Sequence, residues 1–125
     1  MKRRVYALFA AVLVVAVGLL FALDGLRADL VCALSEDSCH GMATAHQEEG
    51  RLSQARELHS QACESGSARS CLAEGGMAAE GQGGPERPAE ARRLYQLACE
   101  SGVAEGCSRL GGMLHRGEGG DVDLS

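Results

Sequence analysis

Six cysteines carry most of the chemistry that this chain of 125 residues can offer. They fall at Cys32, Cys39, Cys63, Cys71, Cys99 and Cys107, with gaps of 7, 24, 8, 28 and 8 residues, so they form three close pairs. Neighbouring thiols close a disulfide, hold a metal as thiolates, or exchange electrons as a redox pair. No Cys-x-x-Cys occurs, and the spacing is not that of a zinc knuckle. Thiol–disulfide catalysts likewise favour Cys-x-x-Cys at a helix N-terminus. Cys39, His40, His46 and Cys63 form the alternative metal set, a reading that leads only in a reducing compartment. In a small exported domain, paired cysteines read as structural disulfides. A bridge closing a loop of eight or nine residues stabilises by about 2.5 kcal/mol through lost unfolded-chain entropy. No catalytic residue, cofactor site or metal site is expected.

Other reactive groups are sparse. Lys2 is the only lysine, which excludes a Schiff base, a Walker loop and a Ser-x-x-Lys nucleophile. His40, His46, His59 and His115 have no serine or cysteine partner at a recognisable spacing, and such histidines in helices are more often packing residues than general bases. Glu48 and Glu49 are adjacent, so they point to different helix sides as solvated charge, and Arg92-Arg93 is a similar exposed face. The glycine clusters EGQGG and GEGG lack the strand and lysine of a phosphate loop. Without Lys2, Arg3 and Arg4, nine basic residues face 17 acidic ones, a balance that repels phosphate backbones. Tyr95 is the only aromatic beyond Tyr6, Phe9 and Phe21, so there is no base-stacking platform. Nucleic acid is therefore not an expected partner.

The elements that must position the cysteines begin with a membrane segment. Residues 5–23, VYALFAAVLVVAVGLLFAL, carry no charge and follow Lys2, Arg3 and Arg4. At about 1.5 Å per residue they span the roughly 30 Å hydrocarbon core of a bilayer. The small-residue sites for cleavage are poor, because Leu20 and Leu26 occupy the −3 positions before Ala22 and Ala28. Val31 before Cys32 is not the small residue of a lipidated cysteine. The expectation is an uncleaved anchor with a cytoplasmic basic tail (residues 1–4) and the rest outside. A signal peptide cleaved near Ala28, giving a secreted protein, is the alternative.

Beyond this segment the chain repeats. CESGSARSCLAEGGMAAEGQGG (63–84) and CESGVAEGCSRLGGMLHRGEGG (99–120) share 12 of 22 positions at an offset of 36 residues. A fixed period of that length marks a solenoid whose units bury their faces on one another. Ala68, Cys71, Leu72, Gly75, Gly76 and Ala79 recur at helical spacing. The run ends at Gly81, Gly83 and Gly84, with Pro85 and Pro88 opening the next helix. In PAEARRLYQLACESG a stripe of Ala91, Leu94, Tyr95 and Ala98 precedes Gly102, a C-cap. Gly75-Gly76 and Gly111-Gly112 each cost a helix about 1 kcal/mol per glycine relative to alanine. Close helix–helix approach at all four is the expected offset.

The pattern A-x-x-L-G-x-M, a G-x-G turn and E-A-x-x-L-Y-x-x-A-C-x-x-G resembles the Sel-one-like repeat, a relative of the tetratricopeptide repeat. The cysteines eight apart are similar to its cysteine-rich bacterial branch. The resemblance implies disulfides from the end of one helix to the start of the next, Cys63 with Cys71 and Cys99 with Cys107. It leaves Cys32 and Cys39, one residue closer together, as the remaining pair. Unit one also departs by four fewer residues at its turn and by His59 where unit two has Tyr95. The branch's association with penicillin binding implies, as the alternative function, a cell-wall or β-lactamase-like activity, or else a purely structural envelope subunit. The usual Ser-x-x-Lys of such an enzyme is missing here.

These readings give an all-α fold: a short, disulfide-stapled α-solenoid of antiparallel helical hairpins after one transmembrane helix. Residues 24–38 form a juxtamembrane segment and 39–125 the repeat region, with units at 32–66, 67–102 and an incomplete 103–125. The expected work is binding another protein or peptide of the bacterial envelope, at the outer face of the inner membrane. The groove lined by the units' first helices is the expected site, with Arg69, Glu74 and Arg109 as contact residues. The open C-terminal end at 107–116 is a candidate homodimer contact. Alkylation of the membrane-extracted protein under denaturing, non-reducing conditions tests the topology. Intact mass should show no modified thiol and retain residues 1–31, whereas six modified thiols would place the domain in the cytoplasm.

Overall fold

The computed structural model describes residues 1–120, and only the backbone of residues 24, 25, 28, 29 and 31. The last five residues assigned to unit three, 121–125, lie outside the described part. Six helices follow in order: α1 (Lys2–Leu34), α2 (Glu36–Glu48), α3 (Leu52–Glu64), α4 (Ala68–Glu80), α5 (Pro88–Glu100) and α6 (Ala104–Arg116). Two compact units separate at Met1–Val31 and Cys32–Ser125.

The first unit is helical throughout. Lys2–Leu23 has a mean hydropathy of 2.7 and none of its apolar window is buried. Leu8, Phe9, Val14 and Phe21 are all exposed, so this helix is apolar on every side rather than along one stripe. It does not end where the apolar run ends. Helix α1 runs on to Leu34, placing Cys32 in its last turn, and α2 already begins within the expected juxtamembrane segment, at Glu36.

The second unit is built from five helices of 13 residues each. Helices α2 and α3 pair as a hairpin, as do α4 and α5, while α3 also packs on α4 and α5 on α6. Disulfides Cys32–Cys39, Cys63–Cys71 and Cys99–Cys107 tie each helix to the one that starts the next unit, with Cα–Cα distances of 4.5 to 4.7 Å. The chain reaches these positions through one recurring turn. Gly66 and Gly102, at φ 110° and 93°, adopt a conformation open to glycine and strained for other residues. The amides of Ser67 and Val103 then reach back to the carbonyls of Ala62 and Ala98, satisfying helix-end acceptors. Ser35 and Ser67 cap α2 and α4 by accepting from the amides of Ser38 and Ser70. Pro88 is the first residue of α5, whereas Pro85 stays in the turn before it.

Alanines do most of the packing. Ala43, Ala55, Ala62, Ala78, Ala91 and Ala98 are completely buried, and they let helix backbones approach closely around a few larger groups. Tyr95, Met113, Ala78 and Ala91 form one cluster, flanked by Leu72, Ala79 and Leu110. The expectation for the glycine pairs holds at one position only. A Cβ on Gly75 would stand 2.8 Å from the Tyr95 ring. On Gly76 the nearest atom would be the Tyr95 hydroxyl at 3.8 Å, and on Gly111 nothing lies within 4 Å. Gly112 would meet only the side chain of Arg116, on its own helix. Gly111 is the repeat equivalent of Gly75, but among the described residues no second helix packs beyond α6.

Equivalent substitutions should therefore have opposite signs. Gly111→Ala is expected to stabilise the chain by about 0.5–1 kcal/mol through helix propensity alone. Gly75→Ala should destabilise it by about 1 kcal/mol or more, because overpacking outweighs the same gain. Urea denaturation in detergent reads both. In a Tyr95→Ala background the cost of Gly75→Ala should shrink to what the Leu94 Cβ at 3.3 Å still imposes, and an unchanged cost there would show that the ring is not the obstacle.

Candidate binding groove

The first helices α2, α4 and α6 line a groove of about 440 Å³. Its floor is α4, where Leu72, Ala73, Gly76 and Met77 share one face, since residues three and four apart stack along a helix. Arg69 and Glu80 stand at the two ends of this face, and Glu105 and Arg109 border it from α6. Arg109 accordingly lies where the sequence placed it. Its guanidinium donates to Glu105 Oε1 at 2.9 and 2.7 Å and sits over the Tyr95 ring, 5.8 Å from the centroid.

Glu74 does not belong to the groove, which corrects the expectation that it is a contact residue beside Arg69. It lies five residues from Arg69, so the helix turns it about 140° away. There it is almost completely buried, hydrogen-bonded to Ser60, in a pocket with Arg56, Arg87 and Glu90. Burial raises its pKa, opposed by the Ser60 bond and the positive charges of Arg93 and Arg56.

Between units one and two lies a polar joint that the sequence reading missed. Ser70 Oγ is 2.8 Å from His40 Nδ1 and 3.4 Å from His59 Nδ1, and the two rings lie 5.3 Å apart. Ser70 and His59 are buried, so this hydroxyl is a packing partner rather than an open nucleophile. His59 Nε2 has no hydrogen-bond partner. Superposing the repeats would have exposed the joint. The positions of His40, His59 and Ser70 correspond to Leu72, Tyr95 and Gly106, so an apolar set in one unit becomes a polar one in the other. Ala43, which is buried, takes the repeat position of Gly75, so the unit with the smaller His59 ring carries an alanine where the Tyr95 unit has a glycine.

The alternative metal set is not gathered. Cys39 and Cys63 are bridged to Cys32 and Cys71, and His40 faces His59 and Ser70. His46 lies near Glu49, 4.0 Å away, and His115 is exposed at the end of α6. Among the described residues no three histidine, cysteine or acidic side chains converge on one point.

This architecture has counterparts among solved structures. A protective antigen of uropathogenic Escherichia coli with an SLR fold matches at a TM-score of 0.69 and 29% identity, over 71% of this chain and 20% of that one. A Sel1 repeat protein from Oxalobacter formigenes matches at 0.67 and 18% identity, over 71% and 38%. The chain has the Sel1-like repeat fold. Cysteine rich protein B of Helicobacter pylori, at a TM-score of 0.58 and 20% identity, covers 83% of this chain and 77% of its own. This chain thus spans about a fifth and two fifths of the first two proteins' lengths. No family model and no curated protein matches. In this chain the bridges join α3 to α4 and α5 to α6, and the first helices α2, α4 and α6 line the groove. The apolar first helix, of signal or anchor type, together with three disulfides points to an extracytoplasmic location.

The joint sets a pH dependence. Burial, followed by the nearby charge of His40, lowers the His59 pKa to about 4. Burial and then Arg69 lower that of His40, against a smaller opposing effect of Asp37. An unfolded histidine titrates near 6.5. Between about 6.5 and 4 the unfolded chain therefore binds the extra proton, so stability is full above that window and falls as the pH drops through it. Urea midpoints should show a loss of about 2 kcal/mol from His59 between pH 7 and pH 5. His59→Leu should flatten this slope, and an unchanged slope would assign the acid sensitivity elsewhere.

Proposed function

We propose that this protein is a binding scaffold of the bacterial envelope, anchored in the inner membrane through residues 5–23 with its repeats outside. The observation that carries this reading is the α4 face. Small and apolar groups at Leu72, Ala73, Gly76 and Met77 line an open groove between the first helices. Gly76 and Ala73 leave backbone within reach of a bound polypeptide, while Met77 is buried beneath them. The anchor rests on the apolar first helix, whose exposed surface on all sides suits lipid. Binding is favoured over catalysis because the histidine lining the groove, His40, is held against Ser70 and the Arg109 guanidinium is paired with Glu105.

A photo-crosslinking amino acid at Ala73, on the groove floor, should capture an envelope polypeptide in living cells. The same group at Leu97, exposed on α5 and absent from the groove lining, should not. Equal capture at both positions would remove the groove from the reading.

A further inference from the structure

Six groove-lining residues of α4 fall on a single stripe: Arg69, Leu72, Ala73, Gly76, Met77 and Glu80. The charges at its ends are the wrong way round for the helix that carries them. Arg69 is in the first turn and Glu80 in the last, where the macrodipole favours the opposite signs. At the equivalent positions α6 carries Glu105 and Arg116 in the favourable sense. Those two are also neutralised within the chain, by Arg109 at 2.7 Å and by Glu118 at 2.6 Å. Arg69 and Glu80 form no ion pair among the described residues, and Glu80 accepts only from Gln82 Nε2 at 3.0 Å. Asp37, at the corresponding place on α2, influences His40 but makes no ion pair with Arg69. The groove floor is thus an apolar strip bounded by one open cation and one open anion.

We propose that the groove binds an extended polypeptide segment that sets a carboxylate on Arg69 and a basic side chain on Glu80, with small or aliphatic residues between. This rests on the binding-scaffold reading and gives it a partner chemistry and an orientation. Eleven helical residues separate the two charges, roughly 16 Å at the usual rise, a span covered by about five residues of extended chain. The guanidinium fork of Arg69 matches a carboxylate in bidentate geometry, so the acidic end is fixed in place as well as attracted.

The test selects random peptides displayed on phage against the full chain in detergent, in four forms: wild type, R69E, the exchanged double variant R69E/E80R, and Gly76→Leu. Both charged positions are exposed, and exchange puts each charge where the helix favours it, so these variants are expected to fold. Wild type should enrich peptides with an acidic and a basic residue about five apart in a fixed order, and the exchanged variant the reverse order. A wild-type-selected peptide should bind R69E at least about tenfold more weakly, and its charge-reversed form should recover affinity on the exchanged variant. Loss of binding on Gly76→Leu, together with no charge order or no effect of the exchange, would overturn the polarity and leave the groove standing. Unchanged binding on Gly76→Leu would overturn the groove reading itself, and no enrichment on any form would overturn both.

Discussion

The repeat region depends on one side chain per unit, driven from the second helix between two successive first helices. In unit two this wedge is Tyr95, packed against Gly75 on α4 and clustered with Met113 on α6. In unit one it is His59, set between His40 on α2 and Ser70 on α4. The size of the wedge dictates its surroundings. A phenol ring demands a glycine opposite, whereas an imidazole tolerates Ala43 but brings nitrogen atoms that must be satisfied in a dry interior. Ser70 supplies the partner for Nδ1, and burial, followed by the nearby charge of His40, keeps His59 neutral. A glycine stands at the equivalent place in unit three, Gly106, where a Cβ would press on Ala98 and the backbone of α5.

The disulfides act at a different place from the wedges. Each sits where a second helix passes to the next first helix, so it fixes the ends of the elements that the wedge holds apart at their middles. This division matters for a core made largely of alanine. Small side chains bury little area each, so hydrophobic burial alone gives limited stability to a domain of this size. Cross-links that restrict the unfolded chain make up part of the difference without adding bulk between the helices. The helices can then remain close enough for their first-helix faces to form a continuous groove.

Much of this was legible in the residues because its causes are local. A glycine at positive φ and a proline at a first helical position act within a turn, and the 36-residue offset of the cysteines fixes where each unit begins. The misreadings involve facing rather than existence. Arg69 and Glu74 both lie on α4, but five residues of helix turn them about 140° apart, so register along that helix does not put them on one face. Gly111 was equated with Gly75 by its repeat position, although the close approach belongs to a Tyr95 that only α5 supplies. The histidine joint joins residues from three helices, so no single window contains it. It becomes visible only when the units are aligned and the substitutions of Leu72, Tyr95 and Gly106 by His40, His59 and Ser70 are taken together.

That internal alignment also separates what the fold requires from what the groove displays. Between α4 and α6, the cysteine and Met77/Met113 keep their identity, and both methionines are buried. Along the stripe facing the groove, Arg69, Leu72, Ala73 and Glu80 become Glu105, Ser108, Arg109 and Arg116, while the glycine between them remains. Packing does not account for the two charge reversals, because Arg69, Glu80, Glu105 and Arg116 are all exposed, whereas Leu72 also packs on the Tyr95 cluster. Changes elsewhere in the two helices have packing causes: Ser70 and Gly106 answer to different wedges, and Glu74 faces Ser60 where Leu110 joins the Tyr95 cluster. The two ends of the groove face are therefore where α4 and α6 differ in charge without a packing reason. A solenoid whose helices share a scaffold but not a surface presents each bound segment with a sequence of distinct neighbours, and so can fix its register and direction as well as its affinity.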